Sequence, residues 1–585
     1  MSPGRVAPVH YRVEAADVHA HLYHVTLSIA QPQAQQRLSL PVWIPGSYLV
    51  REFSRHLQRL VARQDGKAVA VQQIDKCNWQ VDCVPSSPLV LGYEVYAFDN
   101  SVRTAWLDSQ RGFFNGTSLC LKVHGQEAQP HELELVPPAR HTDAWDAATG
   151  LAPVRVGKRG FGTYGAADYD ELVDCPVEMG GFFSGEFKAM GVPHRFVLAG
   201  AAESIDSVRL LADTQKICET QIRFWHDRKR PPFKNYAFLL NAVDDGYGGL
   251  EHRNSTALIA SRRDLPRLGD ARLGDGYVTL LGLISHEYFH TWNVKRLRPA
   301  EFQHYDYGQE NYTQLLWFFE GFTSYYDDLL LRRAGVIDDA TYVKLLNKTI
   351  SQVLQAPGRE LQSVAQASFD AWVKYYRQDE NTANATISYY TKGALVALCF
   401  DLTLRSEGLG TLDDVMRLLW ERCKAGPMRE ADFAAVLKEV GGRAYTREIA
   451  AWVHGTRELP VKELLERHGI AVIEEPAQLQ QRLGLRMSEG TGLQVKNVLR
   501  GGAAEQAGFA ANDEWVGVEV GGTGWRMAKL DDLALYAGQH RKVTALVARD
   551  RRLLRLELNI PAAANAWRLV LRDAARAQAW LGVRT

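Results

Sequence analysis

Apolar and polar residues alternate along much of the first 166 positions. Tyr23, Val25, Leu27 and Ile29 alternate with His24, Thr26 and Ser28, and Leu91, Tyr93, Val95 and Ala97 form a similar series. A period of two is what a half-buried strand requires. Turn formers, Pro45-Gly46-Ser47 and Asn115-Gly116, separate such runs, so residues 1–166 are expected to form a β-sandwich-like domain. From 167 to 475 the period lengthens. Strands expected at 195–199 and 236–241 give way to helices at 276–296, 311–334, 389–405 and 430–440, with Gly335 and Gly441-Gly442 as stop signals. A mainly helical domain follows from this pattern. After Pro476, short strands around Leu483-Gly484-Leu485, 493–498 and 515–520 flank a Gly-rich turn with one helical turn at 501–508. A longer helix is expected near 531–538, and residues 563–585 are read as a C-terminal tail. The 585 residues exceed what one core organises, so the chain reads as a multidomain α+β protein with domains 1–166, 167–475 and 476–562.

Charge narrows the partners. Lys+Arg and Asp+Glu are both 68, which removes the basic field expected of a nucleic-acid or anionic-membrane binder. The seven cysteines are scattered without a Cys-x-x-Cys pair, the pattern of reduced, buried thiols. No apolar run suits a signal peptide or a membrane span. A cytoplasmic location is therefore expected, or a periplasmic one if a leader was removed.

The chemistry concentrates in LGLISHEYFHTWNVKRLRP. His286 and His290 are four residues apart on an expected helix, so their imidazoles share a face. Zn²⁺ accepts such nitrogens at about 2.0–2.1 Å and keeps one place for water at a catalytic site. Glu287 projects beside that place, where it can take a proton. His-Glu-x-x-His alone is equally compatible with two buried structural histidines. A third ligand is offered by WFFEGFTSYY, residues 317–326, where Glu320 sits in an aromatic run and needs a cation.

His286-Glu287-x-x-His290-x-Trp292-Asn293 followed by Trp317-x-x-Glu320-Gly321-Phe322 resembles the zincins whose third ligand is glutamate, the aminopeptidase N family among them. Twenty-nine residues, 291 to 319, separate the second histidine from Glu320. The shorter gap of the aminopeptidase N family would land on Gln309, which is no zinc ligand. The longer gap, with NVKRLRP (293–299), WIPGSYLVREF (43–53) and DYDELVDCPVEMG (168–180), is similar to the glycyl aminopeptidase family, metallopeptidase family sixty-one. That resemblance implies an N-terminal β domain, a thermolysin-like catalytic domain and a C-terminal PDZ domain. It also implies one zinc ion and a preference for N-terminal glycine.

The resemblance extends to the substrate end. GYGGLEHRNS, residues 246–255, is similar to the Gly-x-Met-Glu-Asn strand that holds the substrate amine in aminopeptidase N enzymes, which makes Glu251 the amine anchor. Leu250 and His252 depart from that motif. SYYTKGALVAL, residues 388–398, resembles the Tyr-x-Lys-Gly stretch whose tyrosine donates to the oxyanion, which selects Tyr390 over Tyr389. Lys295 and Arg296 are read as cations in structural salt bridges, and Asp327 or Asp328 as partners of a zinc-bound imidazole.

The segment 476–562 looks like a bacterial-type PDZ domain, with Arg482-Leu483-Gly484-Leu485 as the loop that would hold a peptide C-terminus. The expected partners are peptides with a free N-terminus, with no nucleic acid and no membrane. Two other readings stay open: a zinc endopeptidase that recruits substrates through the PDZ groove, and a non-catalytic peptide-binding scaffold.

Overall fold

The computed structural model describes residues 8–139, 144–562 and 565–582. The chain divides into two compact units. One comprises Met1–Tyr312, Arg333–Val336 and Trp420–Met428, the other Thr313–Arg332, Ile337–Leu419 and Arg429–Thr585.

In the first unit the alternating runs become strands. Val9–Asp17 and Leu22–Ile29 lie at the centre of an eight-stranded sheet that also holds His131–Val136 and Leu89–Tyr96. Two four-stranded sheets complete a β-rich N-terminal region. Val9, Tyr11, Tyr23, Val25, Leu27, Ile29, Leu91 and Tyr93 all lose their solvent exposure in one core, each burial contributing about 1.5–3 kcal/mol.

The same unit continues into a five-stranded sheet, ordered Phe182–Ala189, Val192–Ala199, Tyr236–Val243, Ser255–Ser261 and Tyr247–Glu251. Tyr247–Glu251 is the outermost strand and runs antiparallel to Ser255–Ser261. The helix Asp275–Phe289 packs against both of these strands. It ends at Phe289 rather than continuing to 296.

In the second unit the helix expected over 311–334 is two helices, Leu316–Phe319 and Gly321–Arg333, joined at Glu320. Thr391–Glu407 crosses this junction at close range. A Cβ on Gly321 would stand 2.5 Å from the Gly393 Cα, so only glycine at both positions permits the approach. Glu430–Gly441 forms as expected and is stopped by Gly442 in the left-handed region, φ 69°.

The C-terminal residues form a sheet of six strands, including Leu485–Glu489, Leu493–Val498 and Glu514–Val520, with short helices Ala503–Ala507 and Asp532–Ala537. Leu483 ends a helix instead of starting a strand, and Gly484 turns the chain at φ 71°. Asn384 ties this sheet to its own unit, donating to the Val498 carbonyl at 2.9 Å and accepting from the Arg500 N–H at 2.9 Å. The final segment, read as a tail, contains a strand, Asn565–Leu571, paired with Ile470–Pro476, and a helix, Ala574–Leu581. The reason is apolar: Trp580 and Leu581 are fully buried there. No described helix is long and apolar enough to cross a membrane, and none of the seven cysteines is in a disulfide.

Candidate active site

His286 lies in the last turn of Asp275–Phe289 and His290 caps its C-terminus. Their Nε2 atoms are 3.0 Å apart. Two nitrogens bound to one tetrahedral ion at zinc distances stand about 3.3 Å apart, so the pair fits a shared metal. The Nδ1 of His290 faces the Asn293 carbonyl at 2.8 Å. A carbonyl only accepts, so Nδ1 carries the proton and Nε2 presents its lone pair. The carbonyl is brought there by a strained turn, in which Val294 sits at φ 110°, an outlier for a β-branched residue. For His290 the orienting group is therefore backbone, not Asp327 or Asp328.

Glu287 is 5 % exposed and points to the outermost strand. A Cβ on Gly249 would meet its Oε1 at 2.1 Å, so the glycine makes room for this carboxylate. One ligand atom each from Glu251, Glu287 and His290 lie within 4.8 Å of one another. Glu251 is 4 % exposed, and no side chain among the described residues donates a hydrogen bond to its carboxylate. It is roofed by Gly46, whose Cβ, if present, would lie 2.5 Å from Oε2. The turn around Gly46, φ 94°, is braced: the Ser47 N–H donates to the Ile44 carbonyl at 3.0 Å, Arg51 Nη2 to Ser47 Oγ at 2.6 Å, and the Trp43 indole to the Asp306 carbonyl at 2.7 Å. The WIPGSYLVREF stretch is thus a braced turn packed against the Glu251 carboxylate.

Behind this cluster, Lys295 pairs with Asp174 at 2.6 Å, and His252 Nδ1 lies 3.3 Å from the same oxygen. Burial opposes ionisation of Asp174, but Lys295 and His252 hold its carboxyl well below the ordinary carboxylate range. Arg253 adds its backbone N–H to the second oxygen at 2.9 Å. Lys295 is in a salt bridge as expected. Arg296 instead donates to the carbonyls of Arg253 and Thr291 at 2.8 and 2.7 Å, tying the strand end to the turn after His290. Asp174 lies in the DYDELVDCPVEMG stretch, but nothing in that stretch identifies it as the partner.

In the second unit Glu320 is 2 % exposed, among Trp317, Phe318, Phe319 and Phe322. Tyr390 precedes the helix Thr391–Glu407, and burial, then the Glu320 charge, raise its phenol well above the usual value. The Tyr376 and Tyr390 hydroxyls are 3.4 Å apart, and the Tyr375 ring lies 5.4 Å from that of Tyr390. Tyr389 is fully buried and stacks on Tyr390 at 4.8 Å, a packing role. Tyr375 and Tyr376 escaped the sequence reading, their only signal being two adjacent tyrosines upstream of a third pair.

Residues 10–181 match the family model of the peptidase M61 N-terminal domain, and residues 279–396 that of the M61 glycyl aminopeptidase. A crystal structure of an aminopeptidase N family protein from Idiomarina loihiensis superposes with a TM-score of 0.93 at 37 % identity, covering 98 % of this chain and 100 % of that one. An M1 zinc metallopeptidase from Deinococcus radiodurans gives a TM-score of 0.49 at 15 % identity over 77 % of this chain and 94 % of that one. A mutant of the latter, bound to a Tyr-Ser-Ala substrate, gives 0.47 at 15 % identity over the same shares. No curated protein matches the chain. The family models and the Idiomarina structure support a metallo-aminopeptidase. The chain belongs to the M61 peptidase family.

Proposed function

We propose that this protein is a zinc aminopeptidase that removes a small N-terminal residue, glycine by preference, from peptides. The observation that carries the reading is Glu251: a nearly buried carboxylate to which no side chain among the described residues donates, grouped with Glu287 and His290. Leaving such a charge uncompensated costs several kcal/mol, and a substrate ammonium compensates it. His286, His290 and Glu320 are assigned as the metal ligands. Zinc, held there, supplies Lewis acidity toward the scissile carbonyl and toward water.

The remaining work falls to the chain. Glu251 accepts hydrogen bonds from the substrate ammonium and sets the first residue in register. Glu287 takes a proton from the attacking water and delivers it to the leaving nitrogen as the C–N bond breaks. Tyr390, kept protonated by burial and by Glu320, donates to the oxyanion. The products are a free amino acid and a peptide one residue shorter. The glycine preference rests on family membership alone.

We further assign residues 1–166 as the N-terminal β domain, 167–475 as the peptidase domain and 476–562 as a PDZ-like module. Among the described residues the outermost strand Leu485–Glu489 of that module has one partner, Leu493–Val498, which leaves an edge that a peptide strand can join. Turnover of Gly-, Ala- and Leu-naphthylamides beside N-acetyl-Gly-naphthylamide tests the reading. Hydrolysis of the free amines, fastest for Gly, with none of the acetylated compound is expected. Equal rates on the acetylated compound favour an endopeptidase, and no chelator-sensitive hydrolysis at all favours a scaffold.

A further inference from the structure

Arg103 lies in the loop between Leu89–Tyr96 and Ala105–Leu107, far in sequence from the zinc motif. Its Nη2 nevertheless donates to the Gly249 carbonyl at 3.1 Å, on the outermost strand that carries Glu251. Its Nη1 stands 3.7 Å from where a Gly248 Cβ would be, an ordinary contact distance, so the guanidinium lies alongside the strand. That single carbonyl is the one acceptor its side chain has among the described residues. No carboxylate pairs with it there, and its Nε is buried without a hydrogen-bond partner. An arginine presents five donors in a planar fork suited to two carboxylate oxygens, and here one donor is used.

Position gives the fork a meaning. Glu287 abuts Gly249 and Glu251 lies two residues further along the same strand, a step of about 7 Å. A substrate held by its ammonium at Glu251 and extended along this strand past Glu287 therefore arrives at Arg103 after two or three residues, at about 3.4 Å each. The guanidinium also occupies the strand edge at Gly249, where a longer substrate would have to pair.

We propose that Arg103 is a specificity residue that binds the C-terminal carboxylate of the substrate, which makes short peptides of two or three residues the preferred substrate class. This rests on the aminopeptidase reading. It gives the first unit one anchor for each end of a short zwitterionic peptide, Glu251 for the amine and Arg103 for the acid, with Glu287 between them.

The test compares triglycine with triglycine amide. A charge-assisted pair is worth about tenfold to hundredfold in affinity, so the parent is expected to favour the free acid by at least about tenfold in kcat/KM, mainly through KM. In Arg103→Gln that ratio falls to about one, and Arg103→Lys keeps part of it. The same ratio is read from the Kd values of the two peptides on Glu287→Gln, by calorimetry, without turnover. A parent ratio near one, or an Arg103→Gln variant that slows both peptides alike and keeps the parent ratio, overturns the assignment and leaves Arg103 a mere brace for the strand. Absence of hydrolysis by the parent, with the binding ratio intact, overturns the aminopeptidase reading instead.

Discussion

Gly249→Ala is the substitution whose effect can be worked out most fully. Gly249 lies outside the left-handed region, so alanine meets no backbone penalty. The added Cβ, however, stands 2.1, 2.3 and 2.5 Å from Oε1, Cδ and Cγ of Glu287. Because Cγ as well as the carboxylate is in the way, a rotation of the terminal group does not relieve the contact. Reaching ordinary van der Waals separation needs a displacement of about 1.3 Å. A misplacement of about 1 Å in a group that handles the proton costs about a hundredfold in rate, or about 2.7 kcal/mol of barrier. The expected result, on Gly-naphthylamide, is a kcat about a hundredfold below the parent with KM changed less than threefold and metal content unchanged. In a Glu287→Gln background the same substitution should cost little, since both act on one group. A kcat within threefold of the parent, or a full additional loss in the Glu287→Gln background, would refute the role given to Glu287.

Gly46→Ala meets Glu251 rather than Glu287, at 2.5–2.7 Å from the carboxylate atoms, and from a backbone at φ 94°. Its effect should fall on KM, with a rise of about tenfold or more on Gly-naphthylamide and a smaller change in kcat; a pure kcat effect would contradict Glu251 as amine anchor. His194 supplies a pH prediction: burial lowers its pKa to about 4, while its Nε2 faces the Tyr288 hydroxyl at 2.9 Å. The native state favours the neutral ring, so its contribution is fully present above pH 6.5 and is lost between there and pH 4, up to about 3 kcal/mol. Urea unfolding from pH 7 to pH 4.5 should show that loss in the parent, and a His194→Gln variant whose stability falls just as much over the same range would exclude His194 as its source.

How much of this was legible in the sequence depends on how local each signal is. The alternation in Leu22–Ile29 and the His286–His290 spacing are contained in a few residues and appear as read. The strand Tyr247–Glu251 was read from the resemblance of GYGGLEHRNS to a known substrate strand and not from periodicity, because Gly248 and Gly249 remove the side chains that periodicity needs; at 249 Glu287 takes that place. Glu320 was singled out by its aromatic company, but its position between two helices, beside the Gly321–Gly393 approach, is something no spacing reveals. Lys295 was assigned to a salt bridge without its partner, since Asp174 is over a hundred residues away in the chain. Contacts between distant segments set the support beneath the site, and one-dimensional patterns do not carry them.

The central claim is a metal held by His286, His290 and Glu320 that drives removal of an N-terminal residue. Elemental analysis of zinc in the parent and in Glu320→Ala, each paired with Gly-naphthylamide turnover and a circular dichroism spectrum, tests it most directly. One zinc per parent chain is expected, and in Glu320→Ala a folded protein that has lost most of its metal and nearly all turnover. Full zinc and full rate in Glu320→Ala, or a parent that turns over at the same rate without metal, would contradict it.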